Sequence, residues 1–174
     1  MENRNIILIG FMGAGKTVVG QKVAQELGLK FVDADEEIEK TAGVAISEIF
    51  SKKGEACFRD LETKVLESLR DSTNLVLATG GGMVLRPENV KMLKQLGSLV
   101  LLWAEPSVIF ERIINETHRP LLKVSDPKVE IAKIINYRQP IYQQAADFVV
   151  DTSGLGVDEV AEKVVNYISR RSAS

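Results

Sequence analysis

The stretch GFMGAGKT, residues 10–17, decides how the rest of this sequence is interpreted. It follows a short apolar run, Asn5–Ile9, and leads into a helical stretch, Lys16–Leu27. The pattern G-x-x-x-x-G-K-T between a strand and a helix is typical of a phosphate-binding loop, because its glycines let successive backbone N–H groups converge on one phosphate. Lys16 can reach the terminal phosphates, and the Thr17 hydroxyl can ligate Mg²⁺. The sequence therefore predicts a nucleoside triphosphate site.

Around this loop, short apolar runs alternate with longer helical stretches, which predicts an α/β fold. The candidate strands are Asn5–Ile9, Lys30–Asp33, Asn74–Ala78, Ser98–Trp103 and Phe148–Asp151. The candidate helices are Lys16–Leu27, Ala45–Ser51, Glu55–Arg70, Pro87–Leu96, Ser107–Glu116, Lys128–Ala145 and Val157–Ser169, with Pro140 expected to kink or split the sixth. Continuous apolar runs suit parallel strands that are covered on both faces. We predict three layers with a five-stranded parallel sheet, and a site at the carboxyl ends of the strands.

Composition limits the protein classes that remain. The 174 residues suit a single domain, 1–174, and 45% of them are hydrophobic and 26% charged. A net charge of −2 gives no basic field for nucleic acid or an anionic membrane, and the longest apolar run, Leu99–Ala104, is far shorter than a membrane helix. Cys57 is the single cysteine, so an internal disulfide is excluded. We expect a cytoplasmic monomer without a targeting peptide.

A phosphate loop alone does not choose among GTPases, motor ATPases, nucleotide kinases and metabolite kinases. The guanine-reading pattern N/T-K-x-D is absent, because Thr63-Lys64-Val65 is followed by Leu66. A GTPase is therefore disfavoured, and the acceptor side must come from other residues.

Acidic residues follow the second predicted strand. Asp33 and Asp35 stand at positions i and i+2 of a strand tip, which would turn both side chains toward the site, one for hydrated Mg²⁺ and one for an acceptor hydroxyl. The alternative is an acid-rich first turn of a helix. Arg59 also has two interpretations: it could bind a substrate, or it could pair on the surface with Glu55 or Glu62.

Three further segments carry candidate site residues. Gly80, Gly81 and Gly82 directly follow the third strand, where something must approach the backbone closely or the chain forms a flexible turn. A polar stretch with two prolines contains Arg119 and is typical of a lid. Arg138 stands two residues before Pro140. Taken alone, each arginine is more often an ordinary exposed side chain than a site residue.

In order along the chain, these segments resemble the shikimate kinase family. The resemblance runs from about residue 5 to residue 151 and rests on GFMGAGKT, DAD at 33–35, G-E-x-x-F-R-x-x-E at 54–62, TGGG at 79–82, RPLL at 119–122 and Y-R-x-P-x-Y at 137–142. It implies a phosphate-loop kinase fold with a substrate-binding helical region at about 34–62 and a mobile lid at about 113–127. The implied reaction is ATP-dependent phosphorylation of the 3-hydroxyl of shikimate, which gives shikimate 3-phosphate and ADP in aromatic amino acid biosynthesis.

The resemblance also implies roles for single residues. Lys16, Asp35 and Arg119 would be catalytic, and Thr17 and Asp33 would hold Mg²⁺. The residues implied to bind shikimate are Asp35, Arg59, Gly80, Gly81, Gly82 and Arg138. Those implied to bind ATP are Gly13, Ala14, Gly15, Lys16, Thr17, Val18, Arg112 and Arg119, although Arg112 could instead pair with Glu116.

Two other functions stay open at this point. The arginines are compatible with any small carboxylate, so a kinase for another hydroxy acid, such as gluconate, is the nearest alternative. A catalytically silent kinase-like sensor domain is the second.

Overall fold

Five parallel strands form one sheet in this computed structural model, which describes residues 5–115 and 124–172. The strands are β1 (Ile6–Ile9), β2 (Lys30–Asp33), β3 (Leu75–Ala78), β4 (Ser98–Trp103) and β5 (Phe148–Asp151), in the spatial order β2-β3-β1-β4-β5. The strands β1, β3 and the inner part of β4 are buried, as the unbroken apolar runs predict for a sheet that is covered on both faces. The predicted parallel sheet is confirmed.

The central strand β1 determines where the functional segments meet. Leu8 of β1 pairs with Ala78 of β3 on one side and with Val100 of β4 on the other. The two segments that follow β1 and β3, residues 10–17 and 79–82, therefore leave the same edge of the sheet side by side. The end of β2 and the start of α2 lie beside them, because Asp33 pairs with Ala78.

Helices connect the strands. They are α1 (Lys16–Leu27), α2 (Ala34–Ala42), α3 (Ile46–Ser68), α4 (Pro87–Leu96), α5 (Pro106–Ile113), α6 (Pro127–Ala145) and α7 (Val157–Ser172), and a short 3₁₀ turn spans Met83–Leu85. None of these described helices is long and apolar enough to cross a membrane.

Apart from shifts of up to three residues at helix ends, the structure differs from the predicted helices at α2 and at Pro140. Helix α2 has no counterpart among the predicted helices; it begins because Asp33 caps it and ends at Gly43, where φ is 71°. The two helices predicted at 45–51 and 55–70 are confirmed as two segments of α3, which meet at Gly54, where the backbone angles are not helical (φ 79°, ψ 173°). Pro140 does not split α6, because buried residues beyond it, among them Tyr142, anchor its last turn to the core.

The hydrophobic side chains form two separate clusters. The main one lies on both faces of the sheet and includes Ile7, Leu99 and Ile131. A smaller one, built from Ile38, Ile49, Phe58 and Val65, holds α2 and α3 together. Much of the apolar surface of α2 and α3 therefore packs on a cluster beside the sheet, whereas Ala34 and Leu66 join the main cluster.

Candidate active site

The loop at residues 10–17 has the conformation that phosphate binding requires. Gly13 (φ 76°) and Gly15 (φ 95°) adopt left-handed backbone angles that a side chain disfavours, and a Cβ on Gly13 would fall 2.7 Å from Ile113 Cγ2. Gly15 is the N-cap of α1, so the free N–H groups of the helix point into the loop. Ala14 is buried beneath it, whereas Val18, in the first turn, is half exposed.

Backbone carbonyls of the phosphate loop hold the Lys16 ammonium group in place. Its ammonium donates to the backbone carbonyls of Gly10 at 2.7 Å and Phe11 at 2.9 Å, and the residue is only 9% exposed. A desolvated ammonium group has a stronger interaction with phosphate than an exposed one, because water screens it less. The loop thus offers converging N–H groups and one positioned cation.

Thr17 and Asp33 join the phosphate loop to the end of β2. The Thr17 hydroxyl donates to Asp33 Oδ2 at 2.8 Å, and Asp33 Oδ1 accepts from the backbone N–H groups of Asp35 at 2.9 Å and Glu36 at 3.4 Å. A hydroxyl and a carboxylate at this separation form an oxygen donor pair that suits Mg²⁺ in the presence of phosphates and water. The part of the chain that the structure describes contains no group of three His, Cys, Asp or Glu residues that could hold a metal ion.

Asp35 lies in the first turn of α2, so the predicted strand-tip geometry is wrong. The chain becomes helical directly after Asp33, and the acid-rich first turn of the alternative interpretation is what the structure shows. Asp35 nevertheless faces the site, because its Oδ1 atom is buried and lies against Gly80 of the next loop. Asp35 therefore belongs to the first turn of a helix and also lies beside the glycines after β3.

Arg59 lies on α3 and is not a surface residue, although it contacts both carboxylates considered in the sequence analysis. It donates to Glu62 Oε2 at 2.7 Å and to Glu55 Oε1 at 3.1 Å, and its side chain is 14% exposed. Its guanidinium also lies over the ring of Phe58, 5.3 Å from the centroid. Burial works against the charge, but Glu62 and Glu55 outweigh it and raise the pKa of Arg59, so the site keeps a permanent cation.

Glu62 is the functional candidate that the sequence analysis treated only as a surface partner. It is fully buried, and burial raises its pKa while Arg59 opposes that shift. One of its oxygens binds Arg59, whereas Oε1 accepts no hydrogen bond from the described residues. The ninth position of the motif at 54–62 could have indicated this role, but its burial depends on packing against the loop at residue 80.

Two glycines after β3 make room for these acceptor-side groups. A Cβ on Gly80 would fall 2.9 Å from Glu62 Oε1 and 3.0 Å from Asp35 Oδ1, and a Cβ on Gly82 would fall 2.5 Å from the guanidinium carbon of Arg59. The close approach expected at the glycine triad is therefore observed, and the groups that approach belong to the chain itself.

Gly81, the middle glycine, and two residues of α6, Arg138 and Tyr142, complete the acceptor side. Gly81 packs against the phosphate loop, and its carbonyl accepts a hydrogen bond from the buried hydroxyl of Tyr142. Arg138, one turn earlier on α6, places its guanidinium 5.7 Å from the centroid of the Phe11 ring. Arg138 thus lies beside the phosphate loop and is more than an unattached surface charge.

Arg112 lies on the other side of the phosphate loop. It donates to the Gly13 carbonyl at 3.2 Å, to Thr152 Oγ1 at 3.1 Å and to the Thr152 carbonyl at 2.8 Å. It therefore ties α5 to the loop after β5, next to the phosphate loop. Its alternative partner, Glu116, lies outside the described residues, as do Arg119 and residues 116–123 of the predicted lid.

The structure thus brings the described candidates to one edge of the sheet. The carboxylates of Asp35 and Glu62 and the guanidinium of Arg59 contact the glycines after β3. Arg138 lies over Phe11 of the phosphate loop, in which Lys16 is the positioned cation. This combination defines a phosphate-loop kinase for a small anionic acceptor.

Comparison with known proteins identifies the family. The family model described as shikimate kinase matches residues 12–169. A shikimate kinase from Thermodesulfovibrio yellowstonii is 51% identical over 169 residues, which are 97% of each chain. The chain belongs to the shikimate kinase family, and the resemblance seen in the sequence is confirmed.

Solved structures agree with this result. The structure of shikimate kinase from Acinetobacter baumannii in complex with shikimate superposes with a TM-score of 0.93 at 38% identity, and the match covers 99% of this chain and 97% of the other. A gluconokinase from Sinorhizobium meliloti has a TM-score of 0.56 at 16% identity, over 97% of this chain and 93% of the other. That second likeness shows the shared fold alone.

Proposed function

We propose that this protein transfers the γ-phosphoryl group of ATP to the 3-hydroxyl of shikimate and releases shikimate 3-phosphate and ADP. The observation that carries the proposal is the joint position of Asp35, Arg59 and Arg138 beside the phosphate loop in a chain of this family. A carboxylate next to two arginines matches an acceptor that has both a reacting hydroxyl and a carboxylate of its own.

In the proposed mechanism, Arg59 and Arg138 hold the shikimate carboxylate, and Asp35 accepts the proton of the 3-hydroxyl. The oxygen then attacks the γ-phosphorus, the bond to the β–γ bridging oxygen breaks, and ADP leaves with the electron pair. Lys16 stabilises the negative charge that spreads over the transferring group. Glu62 keeps the Arg59 guanidinium in place through the hydrogen bond described above.

ATP occupies the phosphate loop in this proposal, with the backbone of residues 13–18 around its phosphates and Arg112 near its base. Thr17 and Asp33 would hold Mg²⁺, which supplies charge neutralisation on the phosphates when it is bound. Arg119 would add a second cation from a lid at about 113–127, and closure of that lid would exclude water.

We also propose that the protein works in the cytoplasm as a monomer and within a single domain, 1–174. The net charge of −2 and the single cysteine support the compartment. The large exposed apolar residues of the described segments belong to different elements, among them Val18 on α1, Phe50 on α3 and Val149 on β5, which supports the monomer.

The test is ADP release from Mg·ATP by the purified protein with shikimate, gluconate or a nucleoside monophosphate as acceptor. Of the three acceptors, we expect only shikimate to support turnover, and phosphorus-31 NMR should identify the product as a phosphate monoester. Turnover with another acceptor would overturn the assignment of the acceptor site. ATP binding without turnover on any acceptor would favour the silent sensor domain.

Replacing Arg138 with lysine should raise the KM for shikimate by about 10- to 50-fold, because lysine cannot offer the paired N–H groups that bind a carboxylate. The KM for ATP should stay within about twofold of the wild-type value. Steady-state kinetics with each substrate varied in turn would measure both. The exposed Arg70 provides the matched control, and Arg70→Lys should leave both constants unchanged. Unchanged shikimate kinetics in Arg138→Lys would remove Arg138 from the site.

A further inference from the structure

Two side chains with no assigned role lie at the junction of the phosphate loop, the glycine loop and α6. Tyr142 is fully buried, and its hydroxyl donates to the Gly81 carbonyl. Phe11, the second residue of the phosphate-loop pattern, is 3% exposed and supports the Arg138 guanidinium with its ring. Neither residue has a group that could take part in phosphoryl transfer at neutral pH.

The Tyr142 hydroxyl is a fixed hydrogen-bond donor. Burial raises the pKa of Tyr142 to about 12, although nearby Arg138 opposes the shift, so the phenol keeps its proton. The hydroxyl donates a hydrogen bond to the carbonyl of Gly81, the middle glycine of the loop that contacts Asp35, Glu62 and Arg59. Without the hydroxyl, this part-buried carbonyl loses the partner that orients the Gly81 peptide.

Phe11 contacts two cations, Lys16 and Arg138, which the proposed function assigns to ATP and to shikimate. Its backbone carbonyl accepts from Lys16 at 2.9 Å, and its ring lies under Arg138 at 5.7 Å. Gly81 packs against the same segment, since a Cβ there would fall 3.4 Å from the Met12 nitrogen and 3.8 Å from the Phe11 carbonyl carbon. The phosphate loop and the glycine loop at residues 79–82 therefore pack against each other at Phe11 and Met12.

We propose that Phe11 and Tyr142 are positioning residues for the acceptor: Phe11 fixes the guanidinium of Arg138, and Tyr142 fixes the Gly81 peptide. This inference rests on the proposed function, because shikimate binding is its readout. Phe11 belongs to the phosphate loop, and its ring offers no polar group to either substrate. Shikimate binding would nevertheless depend on Phe11, through its contact with Arg138.

The test compares steady-state kinetics of Phe11→Leu and Tyr142→Phe with those of the wild type. Loss of the ring under a partly desolvated guanidinium should raise the shikimate KM about 3- to 10-fold in Phe11→Leu. Loss of the buried hydrogen bond should raise it by a similar factor in Tyr142→Phe. In both variants kcat and the KM for ATP should stay within about twofold.

A double-mutant cycle separates positioning from general destabilisation. In the Arg138→Lys background, Phe11→Leu should raise the shikimate KM less than twofold further, because the group that Phe11 positions is already changed. Matched controls come from the stacked pair Phe148 and Tyr167, which lie on β5 and α7. Phe148→Leu and Tyr167→Phe make the same chemical changes and should leave the shikimate KM unchanged.

The outcomes are distinguishable. Wild-type protein without shikimate turnover would overturn the proposed function and this inference with it. Wild-type turnover together with Phe11→Leu and Tyr142→Phe kinetics equal to those of the controls would overturn the inference alone. Additive effects of Phe11→Leu and Arg138→Lys would also overturn the role of Phe11. If one variant does not fold, the other still decides the inference for its own half of the junction.

Discussion

Replacing Asp35 with asparagine is expected to lower kcat with shikimate by about 10²- to 10⁴-fold, the range for losing a positioned general base. Asparagine keeps the size of the side chain and its place in the first turn of α2, whose cap is Asp33. It cannot accept the hydroxyl proton. The fold and ATP binding should therefore persist, which circular dichroism and titration calorimetry with ATP would check.

The matched control for this variant is Asp71→Asn, which makes the same change at an exposed position after α3. It should retain wild-type kcat. Near-normal turnover in Asp35→Asn would contradict the proposed role of Asp35 as the base. Loss of ATP binding in the same variant would show that the effect spreads beyond the acceptor, again contrary to the proposal.

Replacing Gly82 with alanine should have the second large effect, through Arg59. The backbone of Gly82 has φ −105°, which alanine adopts without strain, so the added methyl acts only through space. It would fall 2.5 Å from the Arg59 guanidinium carbon and push the guanidinium out of its place between Glu62 and Glu55. Loss of the charge-assisted hydrogen bonds to the substrate carboxylate, about 2–3 kcal/mol, should raise the shikimate KM roughly 30- to 150-fold.

Gly154→Ala is the matched control, because a Cβ there meets no atom within 4 Å. Gly154 follows β5, which is three positions away from β3 in the strand order. At saturating ATP it should leave the shikimate KM unchanged. A Gly82→Ala protein with wild-type shikimate KM would mean that the Arg59 guanidinium does not have to stay where the structure places it. ATP binding by the Gly82→Ala protein should be normal.

The fold could be predicted from the sequence because the decisive information is local. Each strand is a short apolar run, and β2, β4 and β5 begin and end at the predicted residues. The phosphate loop is a continuous motif, and the ordered motifs along the chain identified the family before any comparison. The missed helix α2 has a local cause: Asp33 ends a strand and caps a helix at the same time, so the acidic residues after it suited both structures.

The acceptor side depends on contacts between distant segments, and these the sequence did not reveal. The burial of Glu62 requires α3 to pack against Gly80, and the contact of Arg138 with Phe11 joins residues 127 positions apart. Arg59 illustrates the problem, because its i−4 and i+3 partners follow from helical spacing but its partial burial does not. The roles of the site residues, including Arg119, stay predictions until the variants are measured.

The small cluster of Ile38, Ile49, Phe58 and Val65 means that α2 and α3 can be repacked against each other separately from the sheet. The sheet and the phosphate loop rest on the main cluster, which is built from other side chains. For protein engineering, substitutions that change side-chain volume in the small cluster are therefore the direct way to alter the acceptor side and leave the nucleotide side in place.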